Sequence, residues 1–218
     1  MRLGIVRRFP CLGQVEEWII CLLAFLIAPF LILRYRKRGG QPRRLHFGCG
    51  KVRLAGWINA DLSPFSDLVI DIRQKLPFPS DYLELAYSEH VLEHVPFEVG
   101  VSFLTELHRT LAPLGTVRIA MPDLDDLVDG YLHDWRRFDW VKWENYSYLK
   151  TRAQMINLAF RGWGHKHLYN QEEIERALRL AGFTEIKFKA WGESEIHELA
   201  GLETREDSRL IVEAQKII

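Results

Sequence analysis

The 218-residue sequence predicts an α/β domain in which a mainly parallel sheet ends in a C-terminal antiparallel hairpin, with an apolar helix in front of it. Three observations carry this. After residue 44, short apolar runs alternate with stretches of helical periodicity. Each run ends on glycine or polar residues, as strands do when their carboxyl ends face a ligand. Before residue 44 lies a sixteen-residue stretch, Trp18–Leu33, without a charge or strong polar group.

That stretch is the first element. As a helix it would span roughly 24 Å at about 1.5 Å per residue, short of the roughly 30 Å hydrocarbon core of a bilayer. Glu16 and Glu17 bar extension backwards, Arg34 bars it forwards, and Pro29 is expected to kink or interrupt the helix. A cleaved signal peptide would need a small-x-small site, yet Ala28 is followed by Pro29, Phe30 and a basic run. A buried soluble helix would account for apolarity, but not for apolarity all round. A membrane segment, spanning or re-entrant, fits best. The cluster RYRKRGGQPRR beyond it would hold that side in the cytoplasm and attract anionic lipid, and Arg2, Arg7 and Arg8 hint at a hairpin with both ends inside. Gly39, Gly40 and Pro42 read as a linker, so residues 1–44 form a membrane-associating segment and 45–218 the folded domain.

Within the domain, strands are expected at Leu45–Phe47, Trp57–Ala60, Leu68–Ile70, Leu83–Tyr87 and Val117–Ala120, then at Ile186–Ala190 and Leu210–Ala214 for the closing hairpin. Val101, Leu104, Leu107 and Leu111 recur at helical spacing, and Pro113 with Gly115 stops that helix. Asn170 followed by Glu173 resembles a capping box that opens a second helix, with Ile174, Ala177, Leu178 and Ala181 on one face. Gly182 ends it, where left-handed torsions cost glycine little.

The chemistry gathers at the strand ends. Gly48-Cys49-Gly50 follows the first strand, a turn whose amides can approach a phosphate or a small zwitterion. A dinucleotide fingerprint would want a third glycine at Arg53, which weighs against NAD. Asp61 ends the second strand, where a carboxylate can accept from both ribose hydroxyls; alternatively it caps the turn before Ser63-Pro64. Asp71 ends the third, able to accept from an adenine amino group while Ile72 packs on the ring, or again to act as a cap. Ligand-type residues at three successive strand ends favour a nucleotide-like ligand.

The blocks LHFGCG (45–50), GWINADL (56–62), DIRQKLPFPSDYLELAYSEHVLEHV (71–95), FLTELHRTLAPLGTVRIAMPD (103–123) and AGFTEIKF (181–188) together resemble the class I S-adenosyl-L-methionine-dependent methyltransferases. The sequence is most similar to the small bacterial branch related to the type 11 domain. The resemblance implies a Rossmann-like fold with S-adenosylmethionine as cofactor. Gly48 and Gly50 would hold its methionine end, Asp61 the ribose, and Asp71 with Ile72 the adenine, while Ser88, Glu89 and His90 would line the methyl-transfer side. The sequence departs from the pattern in four places. His46 stands where an acidic residue is common, and Val52 replaces a third glycine. The short Gly50–Gly56 spacing shortens or removes the first helix, and the turn at 111–115 reads Leu-Ala-Pro-Leu-Gly.

For a hydroxyl acceptor, His90 and Glu89 are the candidate bases, with His94 next. His90-Val91-Leu92-Glu93-His94 also matches the H-x-x-E-H zinc pattern, which would make a hydrolase. With no third ligand marked, no metal is expected. His165, His167 and Tyr169, after Gly162 and Gly164, read as a substrate-side lid or as a surface turn with His167 capping the next helix. Trp135, Trp140 and Trp143 could stack on sugars, though core or membrane-facing packing fits them better.

Charge and cysteines bound the setting. Residues 1–44 hold nine basic residues against two acidic, and 45–218 twenty against twenty-seven. An acidic domain argues against nucleic acid as the partner. Cys11, Cys21 and Cys49 form no disulfide framework or CxxC pair, which fits a reducing compartment. The expected setting is therefore the cytosolic face of a membrane, reached through residues 16–44. By analogy the acceptor would be a small-molecule or lipid-linked glycan. A membrane-tethered module that binds cofactor without catalysis is the alternative.

Overall fold

The computed structural model describes residues 26–37, 39 and 41–217. The apolar stretch before Leu26, with Cys11, Cys21 and the basic residues near the start, lies outside the described residues. Residues 26–37 are helical (α1) and run through Pro29 without a break. Proline forfeits the bond to the fourth residue back, here position 25, and the rest of the helix forms regardless. Leu31, Ile32 and Tyr35 of α1 pack on the main core, and Tyr35 donates to the Pro42 carbonyl at 3.0 Å.

The domain then runs β1 (Arg44–Phe47), β2 (Ile58–Asp61), β3 (Leu68–Val69), β4 (Leu83–Glu89), α2 (Phe97–Thr110), β5 (Leu111–Met121), α3 (Leu124–Leu132), α4 (Arg152–Arg161), α5 (Gln171–Leu180), β6 (Glu185–Phe188) and β7 (Leu210–Gln215). The sheet order is β3-β2-β1-β4-β5-β7-β6, with β7 antiparallel to both neighbours and the first five strands parallel. The closing antiparallel pair is present, but its later strand sits inside the sheet and β6 forms the edge.

Strand alternation explains what covers each face. Leu45, Phe47, Val117, Ile119 and Val212 face α2 and α5, meeting Phe103, Leu104, Leu107, Ile174, Ala177 and Leu178 in one core. Each such buried side chain contributes about 1.5–3 kcal/mol. Among the described residues no long helix covers the opposite face: Trp57, Leu85, Tyr87 and Leu199 form a smaller cluster there with Leu54, Ile196 and Leu202. Arg118 of β5 also points to that side. Its Nε donates to Glu203 and its NH1 to Glu213, both at 2.6 Å and all buried.

The two sequence-predicted helices differ from expectation mainly at their ends. Pro96 opens α2 four residues early, and the chain turns extended at Leu111. For α5, Asn170 accepts from the Glu173 amide at 3.0 Å, but the Glu173 carboxylate turns to Arg176, so only half of the box forms. Gly182 follows at φ 102°. The aromatic stretch folds as α3, α4 and 3₁₀ turns around a second core of Leu127, Trp140, Leu149, Met155, Ala159 and Leu168. Trp140 is therefore core, edge-on to Trp163 at 5.0 Å, whereas Trp143 is partly exposed.

Candidate active site

The site assembles at the carboxyl ends of β1, β2 and β4. Gly48 and Gly50 take φ +66° and +51°, the left-handed region where a Cβ is penalised. A Cβ on Gly48 would fall 2.2 Å from Val91 Cγ2, so the turn lies against the residues following β4. A Cβ on Gly50 would meet nothing within 4 Å, which leaves open space above the turn. Among the described residues no helix forms between β1 and β2. Arg53 fills part of that gap, donating to the Phe65 carbonyl at 2.7 Å and to Cys49 Sγ at 3.4 Å. Burial pushes the Cys49 thiol up to about 11.

Asp61 is half-buried and accepts from the Gly50 amide at 2.9 Å and the Ser63 amide at 3.1 Å. It therefore braces the glycine turn and caps its own, and a carboxylate's four lone-pair sites leave two for a ligand. Asp71 lies beyond β3 and is held in a fork by Arg73, with Nε at 2.8 Å and NH2 at 2.7 Å. Burial would raise its carboxyl, but the Arg73 bonds hold it below its ordinary range. For Asp71 the turn-capping alternative is realised, since Oδ1 also accepts from the Arg73 amide, and Ile72 packs against the main core.

His46, the departure beside the glycine turn, is a satisfied core residue. Its Nδ1 lies 3.2 Å from Asn59 Oδ1 on the neighbouring strand, and its ring packs on Tyr87. Burial holds the imidazole below its ordinary value.

At the end of β4, Ser88 is fully buried and its hydroxyl has no hydrogen-bond partner. Glu89 is not an available base. Its carboxylate accepts from the Thr204 amide and hydroxyl, the Arg205 amide and the Ser208 hydroxyl at 2.6–3.1 Å, anchoring the segment before β7. His90 adopts φ 54°. Its side chain is almost buried, with Nδ1 3.2 Å from Glu93 Oε1 and Nε2 3.6 Å from Asp207 Oδ1. Leu92–His94 is a 3₁₀ turn, so His90 and His94 do not share an α-helical face as the H-x-x-E-H pattern requires.

Glu93, which the sequence offers only as part of the H-x-x-E-H pattern, is central to this turn. Its side chain is 1% exposed, and neither carboxylate oxygen has a directed hydrogen bond despite the approach of His90. Burial pushes the carboxyl up, but His90 first, then His94 and His165, pull it below its ordinary value. Burial also holds His94 and His165 low.

The 163–169 segment comes to this turn. The Lys166 and His167 amides donate to the Glu93 carbonyl at 2.7 and 3.2 Å. His165 is buried, with Nδ1 2.7 Å from the Ala159 carbonyl. His167 pairs with the Glu173 carboxylate in the first turn of α5 and does not cap it, since Asn170 is the cap. Tyr169 corrects the lid expectation: it is 0% exposed in the main core, and a Cβ on Gly100 would touch its hydroxyl at 2.8 Å. It cannot line a substrate surface.

A family model described as a methyltransferase domain matches residues 29–187. The chain belongs to the methyltransferase domain family. No curated protein matches it. Among solved structures, a SAM-dependent methyltransferase of Thermotoga maritima superposes with a TM-score of 0.51 at 16% identity, covering 94% of this chain and 96% of that one. A SAM-dependent methyltransferase of Archaeoglobus fulgidus gives 0.48 at 15% identity, covering 87% and 94%. The CurJ carbon methyltransferase gives 0.47 at 15%, covering 80% of this chain, which spans only 48% of that longer one. At these identities the likeness shows the fold alone.

The methyltransferase's cofactor is S-adenosylmethionine. The open space above Gly50 and the free acceptor sites of Asp61 fit it, whereas the fully buried Ser88 hydroxyl is out of its reach, a correction to the sequence expectation, and Arg73 would have to release Asp71 before that carboxylate could serve the adenine. When bound, the cofactor supplies a methyl group already activated on a sulfonium. What falls to the protein is to hold the acceptor in line and to take up its proton.

Proposed function

We propose that this methyltransferase O-methylates a glycan, free or lipid-linked, at the cytosolic face of a membrane. The observation that carries the oxygen acceptor is the His90–Glu93 pair. A hydroxyl must lose its proton as it is methylated, and His90 Nε2, enclosed beside Asp207 Oδ1 at 3.6 Å, would take it once the segment bearing Asp207 moves aside. Glu93 Oε1, 3.2 Å from Nδ1, would balance the imidazolium. Support for the membrane comes from α1. Leu26, Phe30 and Leu33 form one exposed stripe, at 64%, 65% and 51% exposure, opposite the face that packs on the domain. Arg34, Arg36 and Lys37 flank it, suited to anionic lipid. Among the described residues no helix is long and apolar enough to cross a membrane, so this stripe would lie along the surface.

The test is incubation of full-length protein and native membranes with methyl-labelled S-adenosylmethionine, followed by fractionation. Label in a lipid-linked or free glycan, lost in His90→Gln, supports the proposal. Label in protein or small amines overturns the acceptor class, and cofactor binding with no transfer supports the binding-module alternative. Phe30→Asp/Leu33→Asp is expected to release the protein from anionic vesicles, and unchanged vesicle binding would remove the stripe from the argument.

A further inference from the structure

We propose that Glu93, His94 and His165 form a binding site for one divalent first-row metal ion, zinc before others, with a coordination position open to the acceptor. Metal binding stands on its own observations, and only its role toward the acceptor rests on the methyl-transfer reading above.

One donor atom from each residue lies within 4.8 Å of the others. His94 Nε2 is 4.0 Å from Glu93 Oε1, and the two imidazole rings stand 5.0 Å apart. The outer contacts fix which nitrogens face inward. A carbonyl can only accept, so His165 Nδ1, 2.7 Å from the Ala159 carbonyl, carries the proton and Nε2 keeps its lone pair. In His94 it is Nδ1 that faces the Gly164 backbone, which leaves Nε2 on the Glu93 side. A histidine anchored through one nitrogen to a backbone carbonyl and bare at the other is the usual arrangement of a metal ligand.

Beside these rings lies Glu93, 1% exposed, with neither carboxylate oxygen in a directed hydrogen bond. A buried carboxylate facing imidazole lone pairs is acceptor against acceptor, and a cation among them satisfies all three groups at once. Two imidazoles and one carboxylate suit zinc, and three protein ligands leave its fourth position free. His94, 36% exposed, marks the open side. Bonds of about 2.0–2.1 Å would draw the donors inward by roughly 1 Å, a side-chain movement. The Lys166 and His167 amides tie the segment bearing His165 to the Glu93 carbonyl, so the donor set is held together by backbone. His90 is an outer partner of Glu93 here rather than a ligand. The sequence supplied the first two ligands within five letters, and the third comes from a distant segment that only the fold delivers.

The experiment uses full-length protein stripped with chelator and titrated calorimetrically with zinc chloride, and in parallel with cobalt(II) followed by visible absorption. The expected result is about one equivalent of zinc and a cobalt spectrum of low coordination number. Binding should weaken at least ~100-fold in His165→Gln and His94→Gln, about tenfold or less in His90→Gln, and not at all in the surface control His133→Gln. Thermal melts of each variant separate lost ligands from lost fold, and the cobalt spectrum of the unsubstituted protein stands if a variant does not fold. No saturable uptake, uptake insensitive to His165→Gln, or loss centred on His90→Gln overturns the site. S-adenosylhomocysteine binding is measured on the same samples. If it persists without metal uptake, the metal site fails while the methyltransferase reading survives; the reverse pattern spares the metal site and removes only its link to methyl transfer.

Discussion

Replacing Arg118 by methionine removes the one guanidinium between two buried carboxylates. Arg118 and Glu203 are 0% exposed at the side chain and Glu213 6%, and each carboxylate bonds the guanidinium at 2.6 Å. Taking one partner from a buried ion pair costs about 3–5 kcal/mol, because the remaining charge is left unpaired. Two features modulate this. Lys189 Nζ, 4.0 Å from Glu213, can take over part of that charge, while Glu203 keeps only the Gly192 amide at 3.1 Å. The loss should therefore fall near the middle of that range, roughly 4 kcal/mol. At about 2–4 °C per kcal/mol for a domain of this size, the melting temperature should drop roughly 8–16 °C. Urea denaturation followed by circular dichroism measures it. The triple variant Arg118→Met/Glu203→Gln/Glu213→Leu should recover most of the stability, since it strands no charge. A single-variant loss below about 1 kcal/mol would refute the reasoning, and so would a triple variant no more stable than the single one.

Three further outcomes are expected. Gly48→Ala should strongly impair folding or cofactor binding, since its Cβ would lie 2.2 Å from Val91 Cγ2, and adding Val91→Ala should restore part of the loss; no rescue would place the cause in the φ of +66° alone. Asp61→Ala should weaken S-adenosylhomocysteine binding by about 1.5–3 kcal/mol, read by calorimetry, and unchanged affinity in folded protein would remove Asp61 from the site. Because His46 is held below its ordinary value in the fold, the unfolded chain takes up the proton first as pH falls through about 6.5. Stability should then decline with falling pH, by at most about 1.4 kcal/mol per unit from this group, and His46→Gln should flatten the slope without abolishing it. His94, His108 and His165, shifted the same way by burial, would supply the remainder; an identical slope in the variant would count against the assignment.

The strands were legible because the parallel sheet is buried on both faces, so each reads as a short apolar run; Leu45–Phe47 and Leu83–Tyr87 differ from β1 and β4 by one or two residues at an end. Helices α3 and α4 escaped because the aromatic residues between them obscured the period. Their start signals were nevertheless present: Asp123 accepts from the Asp125 amide, and Thr151 with Gln154 forms a full capping box. The glycine turn and Asp61 follow from strand-end position alone. Arg118 does not, since one arginine in an apolar run announces nothing until two glutamates from distant segments meet it. Glu89 and Tyr169 misled for a related reason. Their polar atoms suggest chemistry, and only tertiary contacts reveal that one staples a loop and the other fills the core.

Inserting β7 between β5 and β6 has a consequence for the order of assembly. Until residues 210–215 arrive, β5 presents an open strand edge with Val117 and Ile119 beside it, and β6 has no neighbour to pair with. Pairing of β5 with β7 joins segments about as far apart as Arg118 and Glu213, 95 residues in sequence, so closure comes late and at high entropic cost. A partly made chain would thus hold the β5 edge bare while residues 122–209 are made. A nick in the 189–209 connection after folding would be tolerated far better than the same break during it.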